Sequence, residues 1–587
     1  TFSYQIPYVG VLPTFPVVGD SLDQTTLKGL VTEFVSKGSG AWNLSGGGVE
    51  ETDTYWTGKN YGKVAELAAI ARSLDMQSEA DQLVNWLKAE LADWFTAETD
   101  GTLNTKKYFV YDDDWNTLLG FDESFGSHQR LADHHFHYGY FVRAAAEICR
   151  VDLAWCGDDQ YGPMIELLIR DYAADTDDAL FPHMRNFDPA NGFSWADGQV
   201  NFTRGNNNES TSEAATAYGA IILYGLTTGN TELTERGMYL HASTGAAYWE
   251  YWNNIDGYNN VSADADNFPS GYNRITTSII WGDGAVFSTW FSPLVAHILG
   301  IQGLPSNTLT MHVGLYADYM RDYVTLGLSE SSNGKPSGLG ADEWRDLWWN
   351  LWALVDAEAA IADYESVSGY TPEAGETKAH TYHWLHTLRA LGQLRTGTGS
   401  ITADYPAAMV FDHEALRHYV VYNFKAEPLT VTFSDGHSVT AATGFSVSDN
   451  QTQPLDSDGD GVYDDLDVFP ANANEWLDTD GDGIGNNADP DDDDDGFSDE
   501  AEALDETNPL SRFSCKTGCF SFDVDESLAA KPLTDGLLVI RHLFGFSGAA
   551  LTSGAVADGA VRGASEEIVL YLTDSNSELD IDGDGAT

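Results

Sequence analysis

Three carboxylates lie in strings suited to proton transfer. Glu209 and Glu213 bracket the run Glu209-Ser210-Thr211-Ser212-Glu213, which follows Asn206-Asn207-Asn208 and precedes an Ala-rich stretch. Ser and Thr at the start of such a stretch predict helix entry, and residues four apart on a helix share one face. Neither acid has a Lys or Arg neighbour in sequence. Like charges held that close raise one carboxyl's pKa, which suits acid/base work. Two solvated acids favoured by a helix dipole would leave the same pattern. Asp133 heads a second string, Asp133-His134-His135-Phe136-His137-Tyr138-Gly139-Tyr140. Histidines at i and i+2 of an extended segment can converge on Zn²⁺. They can equally wall a polar cleft in which ring N–H groups orient a carboxylate and bind sugar hydroxyls. The lack of a further Cys/His cluster favours the cleft.

A different set of acids has the spacing of cation loops. Three segments place oxygens at positions 1, 3, 5, 9 and 12 with Gly at 6, the pattern of an EF-hand-type calcium loop. The first uses Asp456, Asp458, Asp460, Gly461, Asp464 and Asp467. The second uses Asp478, Asp480, Asp482, Gly483, Asn486 and Asp489. The third uses Asp491, Asp493, Asp495, Gly496, Asp499 and Glu502. Hard carboxylate oxygens converging on Ca²⁺ explain the spacing; without cations they would repel strongly. Structural calcium is therefore expected, with no cofactor for catalysis. A degenerate loop at Asp523 and Asp525 has Ser527 and Lys531 where ligands belong, which leaves calcium there unsupported.

The elements that must carry these groups change along the chain. Tyr61–Glu98, Asp159–Asp175, Glu209–Gly229, Glu232–Trp252, Thr310–Leu328, Asp346–Tyr364 and Thr377–Leu394 repeat apolar residues at three and four, which predicts amphipathic helices. Ten to twelve helices fit this region, enough for a toroid of helix pairs. After Gly399 the pattern becomes β-branched and alternating at Tyr419–Asn423, Leu429–Ser434 and Ser438–Ala442, separated by turn residues. The run Leu533–Phe546 predicts a helix in a C-terminal unit, and Asp580-Ile581-Asp582-Gly583-Asp584 begins another loop of the Asp523 kind. The fold class expected is mainly α, with a small β unit, a calcium-loop segment and a small helical unit at the end.

The chain has 587 residues and a net charge of −62. The stretch Leu455–Glu506 holds 21 of the 91 acidic residues and no Lys or Arg, so most of the acidity lies elsewhere. Such a surface disfavours nucleic acid and anionic membranes as partners. No run is long and apolar enough to span a bilayer. The chain opens on Thr1 with no signal peptide and closes inside a metal-loop pattern, so both ends read as cut. Four cysteines are too few for a disulfide scaffold. Cys149 and Cys156 read as well as buried thiols as a pair, whereas Cys515 and Cys519 could bond, bind metal or stay free. The 17 Trp and 28 Tyr suit stacking on sugars or a large core.

Several of these strings resemble a known family. DHHFHYGYF, RNFDPANGFSWADG and NNNESTSEAATAY look like signature blocks of glycoside hydrolase family 81, the endo-β-1,3-glucanases. Tyr61–Lys63, TWFSP at Thr289–Pro293, GIQGLP at Gly300–Pro305 and HTYHWL at His380–Leu385 fit the same family in the same order. The resemblance covers residues 1–395. It implies an (α/α)6 toroid that cleaves internal β-1,3-glucosidic bonds of laminarin-like glucan with inversion. By resemblance Asp133 is the general acid, Glu209 the general base, and Glu213 an essential neighbour positioning water or sugar; Glu213 remains open as the base. His134 and His137 are expected to line the cleft with Asp188 and Trp195. Tyr138, Tyr140 and Tyr382 would stack on glucose or belong to the core, and Asn207 would bind a hydroxyl. Phe193 stands where the family commonly has His, and the family's N-terminal β-sandwich is not represented. The acidic segment resembles thrombospondin type 3 repeats, and the last unit resembles a dockerin.

The expected domains are a connecting segment at 1–40, the toroid at 41–400, the β unit at 401–450, the repeats at 451–506 and a truncated dockerin-like unit at 507–587. The expected setting is secreted or cell-surface, bacterial and marine. The partners would be β-1,3-glucan and a cohesin-like or cell-surface protein reached through the last unit. The competing reading is a non-catalytic glucan-binding or adhesion protein. A third, a lyase on an anionic polysaccharide, is disfavoured by the charge.

Overall fold

The computed structural model describes residues 6, 8–19, 22–44, 50–198, 202–255, 257, 267–269, 272, 274–329, 344–367, 369–395, 401–413, 416–451, 458, 462, 467–493, 495–505, 507–510, 522–527, 530, 531, 533–557 and 559–574. Residues 6–453 form one unit, and the chain from 454 onward belongs to another.

The first unit is mainly helical. Its helices are α1 (Gln24–Ser36), α2 (Thr54–Ser73), α3 (Gln77–Trp94), α4 (His134–Val151), α5 (Gly162–Ala173), α6 (Thr211–Thr228), α7 (Thr231–Ala247), α8 (Val295–Gly300), α9 (Ala317–Ser329), α10 (Arg345–Ala353), α11 (Ala357–Ser366) and α12 (Lys378–Leu391). Side-chain oxygens start several of them: Asp23 caps α1, Asp53 caps α2, Asn230 caps α7 and Thr377 caps α12. Gly229, at φ 76°, ends α6 in the left-handed conformation that favours glycine.

α2, α4 and α6 pack side by side. α6 meets the turn Ile301–Gly303 that follows α8, this turn meets α10, α10 meets α12, and α12 returns to α2. The alternate helices lie outside: α3 on α2, α5 on α4, α7 on α6, α9 on α8 and α10, α11 on α10, and α1 on α12. Burial follows this division. α4 and α6 bury nearly every residue, whereas α5 buries mainly one stripe, including Ile165, Leu168, Ile169 and Tyr172. Gly139 on α4 packs directly on Ala217 of α6: a methyl group there would lie 2.7 Å from the Cα of Ala217.

Several expectations need correction. The predicted helix Asp346–Tyr364 is two helices, because Asp356 caps a new one through its contact with the Ala359 N–H. Tyr61–Glu98 likewise divides into α2 and α3 at Leu74-Asp75-Met76. The segment 1–40 is more than a connection. It carries α1, and Val9, Leu12 and Phe15 are buried in the helical core, with Phe15 against Trp384. Arg143 donates to the Pro13 carbonyl at 2.6 Å and Thr14 donates to Glu66 at 2.6 Å. The β unit is also not separate. Strands Gln393–Leu394, Ala408–His413, Leu416–Asn423 and Gly444–Gln451 form one antiparallel sheet in that order. Met409, Phe411, Val420 and Tyr422 face the helical core. Ala408, Val410, Tyr419 and Val421 cover a hairpin core with Val431, Phe433 and Val439. Both faces being buried fuses the sheet to the helices. Cys149 and Cys156 are joined in a disulfide rather than left as thiols.

In the second unit α13 (Asp499–Asp505), α14 (Asp535–Leu543), α15 (Ala549–Thr552) and α16 (Ser565–Asp574) are helical. Leu538, Leu551, Ile568 and Leu572 share a small core with Val524. Asp456, Asp460, Asp464, Cys515, Cys519 and the 580–584 loop lie outside the described residues.

Candidate active site

Short extended segments bring the three carboxylates together. The Asp133 N–H donates to the Ala196 carbonyl at 2.8 Å, and the Gly198 N–H donates to Leu131 at 3.0 Å. The Ala196 N–H in turn donates to the Asn207 carbonyl at 2.6 Å. Asn207 and Asn208 pair with Trp281 and Ile280. Asp133, Asp197 and Glu209 therefore come from neighbouring rungs of one backbone ladder, although far apart in sequence.

Asp133 precedes α4 at φ 57°, ψ 22°, a left-handed conformation that Asp tolerates better than most residues. Its side chain makes no cap hydrogen bond, which leaves the carboxyl available for chemistry. α6 begins at Thr211, with Ser210 capping it by accepting from the Glu213 N–H at 3.2 Å. Glu209 thus lies before the helix, and the expectation that Glu209 and Glu213 share a helical face is wrong. Glu213 occupies the position from which a capping box would reach back to Ser210. Instead it accepts from the Tyr140 hydroxyl at 2.8 Å and from Tyr55. Glu213 is buried, whereas Glu209 and Asp133 are partly exposed. Glu209 accepts the Trp290 N–H at 3.0 Å.

The electrostatics separate the three. Burial, then the charges of Glu213, Asp197 and Glu209, push Asp133 well above the usual carboxylate range, with Arg130 opposing. Glu209 is pushed up to about 7, first by burial; the Trp290 N–H lowers it and Glu213 raises it. Burial also raises Glu213, against Lys59 and its two tyrosine donors. One carboxyl raised well above its ordinary range and one pushed up to about 7 make a pairing suited to acid and base roles.

The structure distributes the other expected residues differently. His134 is fully buried, its Nδ1 2.7 Å from Asp171 and its Nε2 2.8 Å from the Ser127 carbonyl. Both nitrogens are occupied, so it braces α4 instead of lining a cleft. His137 is buried 2.7 Å from the Thr54 hydroxyl, beside Tyr55. The two rings point to different partners because the string is helical rather than extended, so it does not converge on a metal. Tyr138 is core, donating to the Leu118 carbonyl at 2.7 Å. Tyr140 serves Glu213 rather than stacking. Tyr382 packs on His386, near α1. Asp188 closes its own loop: it accepts from the N–H groups of Ala190 and Asn191 and holds the Trp195 Nε1 at 3.1 Å. Trp195 is half-buried there. Asn207 receives the Trp290 indole N–H at 3.4 Å. Tyr55, Arg130 and Asp197 were missed. Asp197 and Trp290 were inside quoted strings, but nothing in their spacing singled them out.

Two of the three acidic loops lie almost wholly within the described residues. Gly483 and Gly496 both have φ 91°. In each loop position 6 donates to position 1: Gly483 to Asp478 at 3.0 Å, Gly496 to Asp491 at 3.1 Å. Position 2 donates to position 9 in both, Thr479 to Asn486 and Asp492 to Asp499, each at 3.0 Å. Oxygens of Asp478, Asp480 and Asp482 lie within 4.8 Å of one another, as do those of Asp491, Asp493 and Asp495. Both carboxylate oxygens of Glu502, the position-12 residue, are buried without a hydrogen-bond partner. Asp489, at position 12 of the second loop, accepts the Asp491 N–H at 2.9 Å. Of the first loop, Asp467 is buried and accepts from Phe469, and Asp458 is half-buried. Asp535 joins Asp523 and Asp525 in a third group that sequence spacing did not reveal.

A model of the glycosyl hydrolase family 81 C-terminal domain matches residues 42–382. The chain is 38% identical over 445 residues to a glucan endo-1,3-beta-D-glucosidase of Thermobifida fusca, covering 76% of this chain and 55% of that protein. It is 37% identical over 470 residues to the enzyme of that name from Acetivibrio thermocellus, covering 78% and 56%. A solved structure of a family 81 glycoside hydrolase mutant from Clostridium thermocellum superposes with a TM-score of 0.68 at 36% identity, over 76% of this chain and 58% of that one. The chain thus spans about half the length of the curated relatives it matches.

Proposed function

This chain belongs to glycosyl hydrolase family 81, and from that premise we propose that it hydrolyses internal β-1,3-glucosidic bonds of laminarin-like glucan with inversion, on an (α/α)6 toroid. The observation that carries the reading is the pairing of Asp133, uncapped and with its carboxyl raised well above the usual range, with Glu209, pushed up to about 7 by burial. Asp133 gives its proton to the glycosidic oxygen as the bond from that oxygen to C1 breaks. A water attacks C1 from the opposite face and loses its proton to Glu209. Room for that water needs carboxyls about 6.5–9.5 Å apart. Glu213, held by Tyr140 and Tyr55, positions the water or the sugar. The continuous inner and outer packing from α1 to α12 supports the toroid. The names of the two bacterial relatives support the substrate.

The test is anomeric NMR on laminarin during the first minutes of reaction. New α-anomer is expected. New β-anomer would refute inversion. Glucan bound with no reducing sugar released would favour a binding or adhesion protein.

The acidic loops are read as structural calcium sites. The partnerless buried carboxylate of Glu502 and the clustered oxygens of both loops support this. Calcium titration of the full chain is expected to raise the protection of residues 467–502 from hydrogen exchange. Chelation should reverse this without changing glucan hydrolysis. Loss of hydrolysis on chelation would place calcium in catalysis instead. The Cys149–Cys156 disulfide and the calcium loops together fit an oxidising medium outside the cell. A cell-surface or cohesin-like partner of the C-terminal unit belongs to the same reading.

A further inference from the structure

One residue bonded to the base presents an open aromatic ring. Trp290 is 55% exposed. Exposure alone says little, since single exposed apolar side chains are ordinary on a protein surface. What distinguishes Trp290 is how it is fixed. Its backbone N–H donates to Glu209 Oε1 at 3.0 Å, and its indole N–H donates to Asn207 Oδ1 at 3.4 Å. The turn that carries it is closed by Thr289, whose hydroxyl donates to the Ser292 carbonyl at 2.6 Å and accepts the Ser292 N–H at 3.0 Å. Two further rings brace the indole. Trp281 meets it with centroids 5.4 Å apart and planes at 62°, and Phe202 lies 5.9 Å away. Both bracing rings are half-buried and each lies under a guanidinium, Arg204 at 5.2 Å from Trp281 and Arg130 at 5.0 Å from Phe202. Trp290 is thus held in one orientation by its neighbours while much of its ring meets solvent.

We propose that Trp290 is a sugar-binding platform, its indole stacking on the apolar face of a glucosyl unit held beside Glu209. This rests on the proposed hydrolysis, in which Glu209 faces the anomeric carbon. The two faces of a β-glucosyl ring carry C–H groups, and its hydroxyls lie around the rim. An indole attracts such C–H groups through the negative charge over its ring, and its flatness brings a whole sugar face into contact. A ring already locked by its neighbours has little freedom left to lose on binding. The base is tethered by the backbone of Trp290, so any replacement except proline keeps the N–H that Glu209 accepts. Substitution at 290 therefore separates the sugar contact from the placement of the carboxylate.

The experiment is calorimetric titration of the full chain with laminarihexaose, carried in an Asp133→Asn background so that the ligand persists. Trp290→Ala and Trp290→Leu are expected to raise Kd by roughly 5- to 30-fold, and Trp290→Phe by less than about 5-fold. Leucine supplies apolar area without a flat face, so the gap between Leu and Phe reads stacking rather than bulk. The indole N–H resonance of Trp290, assigned with Trp290→Phe, is expected to shift as laminarihexaose saturates the chain. A Trp290→Ala protein that binds as tightly as its background overturns the proposal, and so does a Trp290→Leu protein that binds as well as Trp290→Phe. If the Ala and Leu variants do not fold, an indole resonance unmoved at saturation overturns it. A background chain that binds no laminarihexaose overturns it as well, while laminarin hydrolysis by the unsubstituted chain still decides the hydrolytic reading. An unsubstituted chain that releases no sugar refutes hydrolysis, and the affinities and the resonance still decide the role of Trp290.

Discussion

Asp133→Asn is expected to lower kcat on laminarin by about 100- to 10,000-fold, the usual worth of a positioned general acid, with no loss of thermal stability. Asn is among the few residues that accept the left-handed conformation found at this position, and the backbone bond to Ala196 does not involve the side chain. The substitution removes only the proton to be donated. A leaving group that needs no proton should bypass the defect. A dinitrophenyl laminari-oligosaccharide is therefore expected to be cleaved by the variant at close to the parent rate. A variant equally slow on both substrates would show that Asp133 acts in some way other than as the acid. One still active on laminarin would remove it from the mechanism.

Glu209→Gln should be as damaging, again by about 100- to 10,000-fold. The amide oxygen can still accept the Trp290 N–H, so the loop keeps its tether. The pH profile of the parent gives an independent sign. A base works ionised, so kcat/KM should climb as pH rises through about 7, where Glu209 titrates. The acid works protonated, so activity should fall again on the alkaline side, where Asp133 loses the proton that burial and its neighbours hold there. Azide is a nucleophile that needs no base. It is expected to restore cleavage to Glu209→Ala, yielding the α-glucosyl azide. Rescue of Glu213→Ala and not of Glu209→Ala would transfer the base role to Glu213. That outcome would also reinterpret Tyr55 and Tyr140 as the groups that tune a base.

Helix identity was legible where apolar residues recur, as in α5, α6 and α7. It was illegible in α4, because His134-His135-Phe136-His137 has no apolar stripe and Asp133 enters the helix through an unusual dihedral angle rather than a side-chain cap. The carboxylates stood out through their surroundings, but their grouping did not, since it depends on a ladder joining residues 133, 196 and 207. Aromatic content could not distinguish Tyr138, bonded to Leu118, from a sugar platform. In the acidic loops spacing alone located the oxygens. Asp535 escaped because it lies one position beyond the twelfth.

The contact between Gly139 and Ala217 has a consequence for the scaffold beneath the carboxylates. α4 starts immediately after Asp133, and α6 carries Glu213 and follows Glu209, so the fit between these two helices underlies the placement of all three carboxylates. In the proposed chemistry the separation of acid and base decides whether a water or the enzyme itself meets the anomeric carbon. A bare hydrogen on Gly139 is what lets the two helices meet there. Gly139→Ala is thus expected to push α4 and α6 apart, because its methyl group would lie 2.7 Å from the Cα of Ala217.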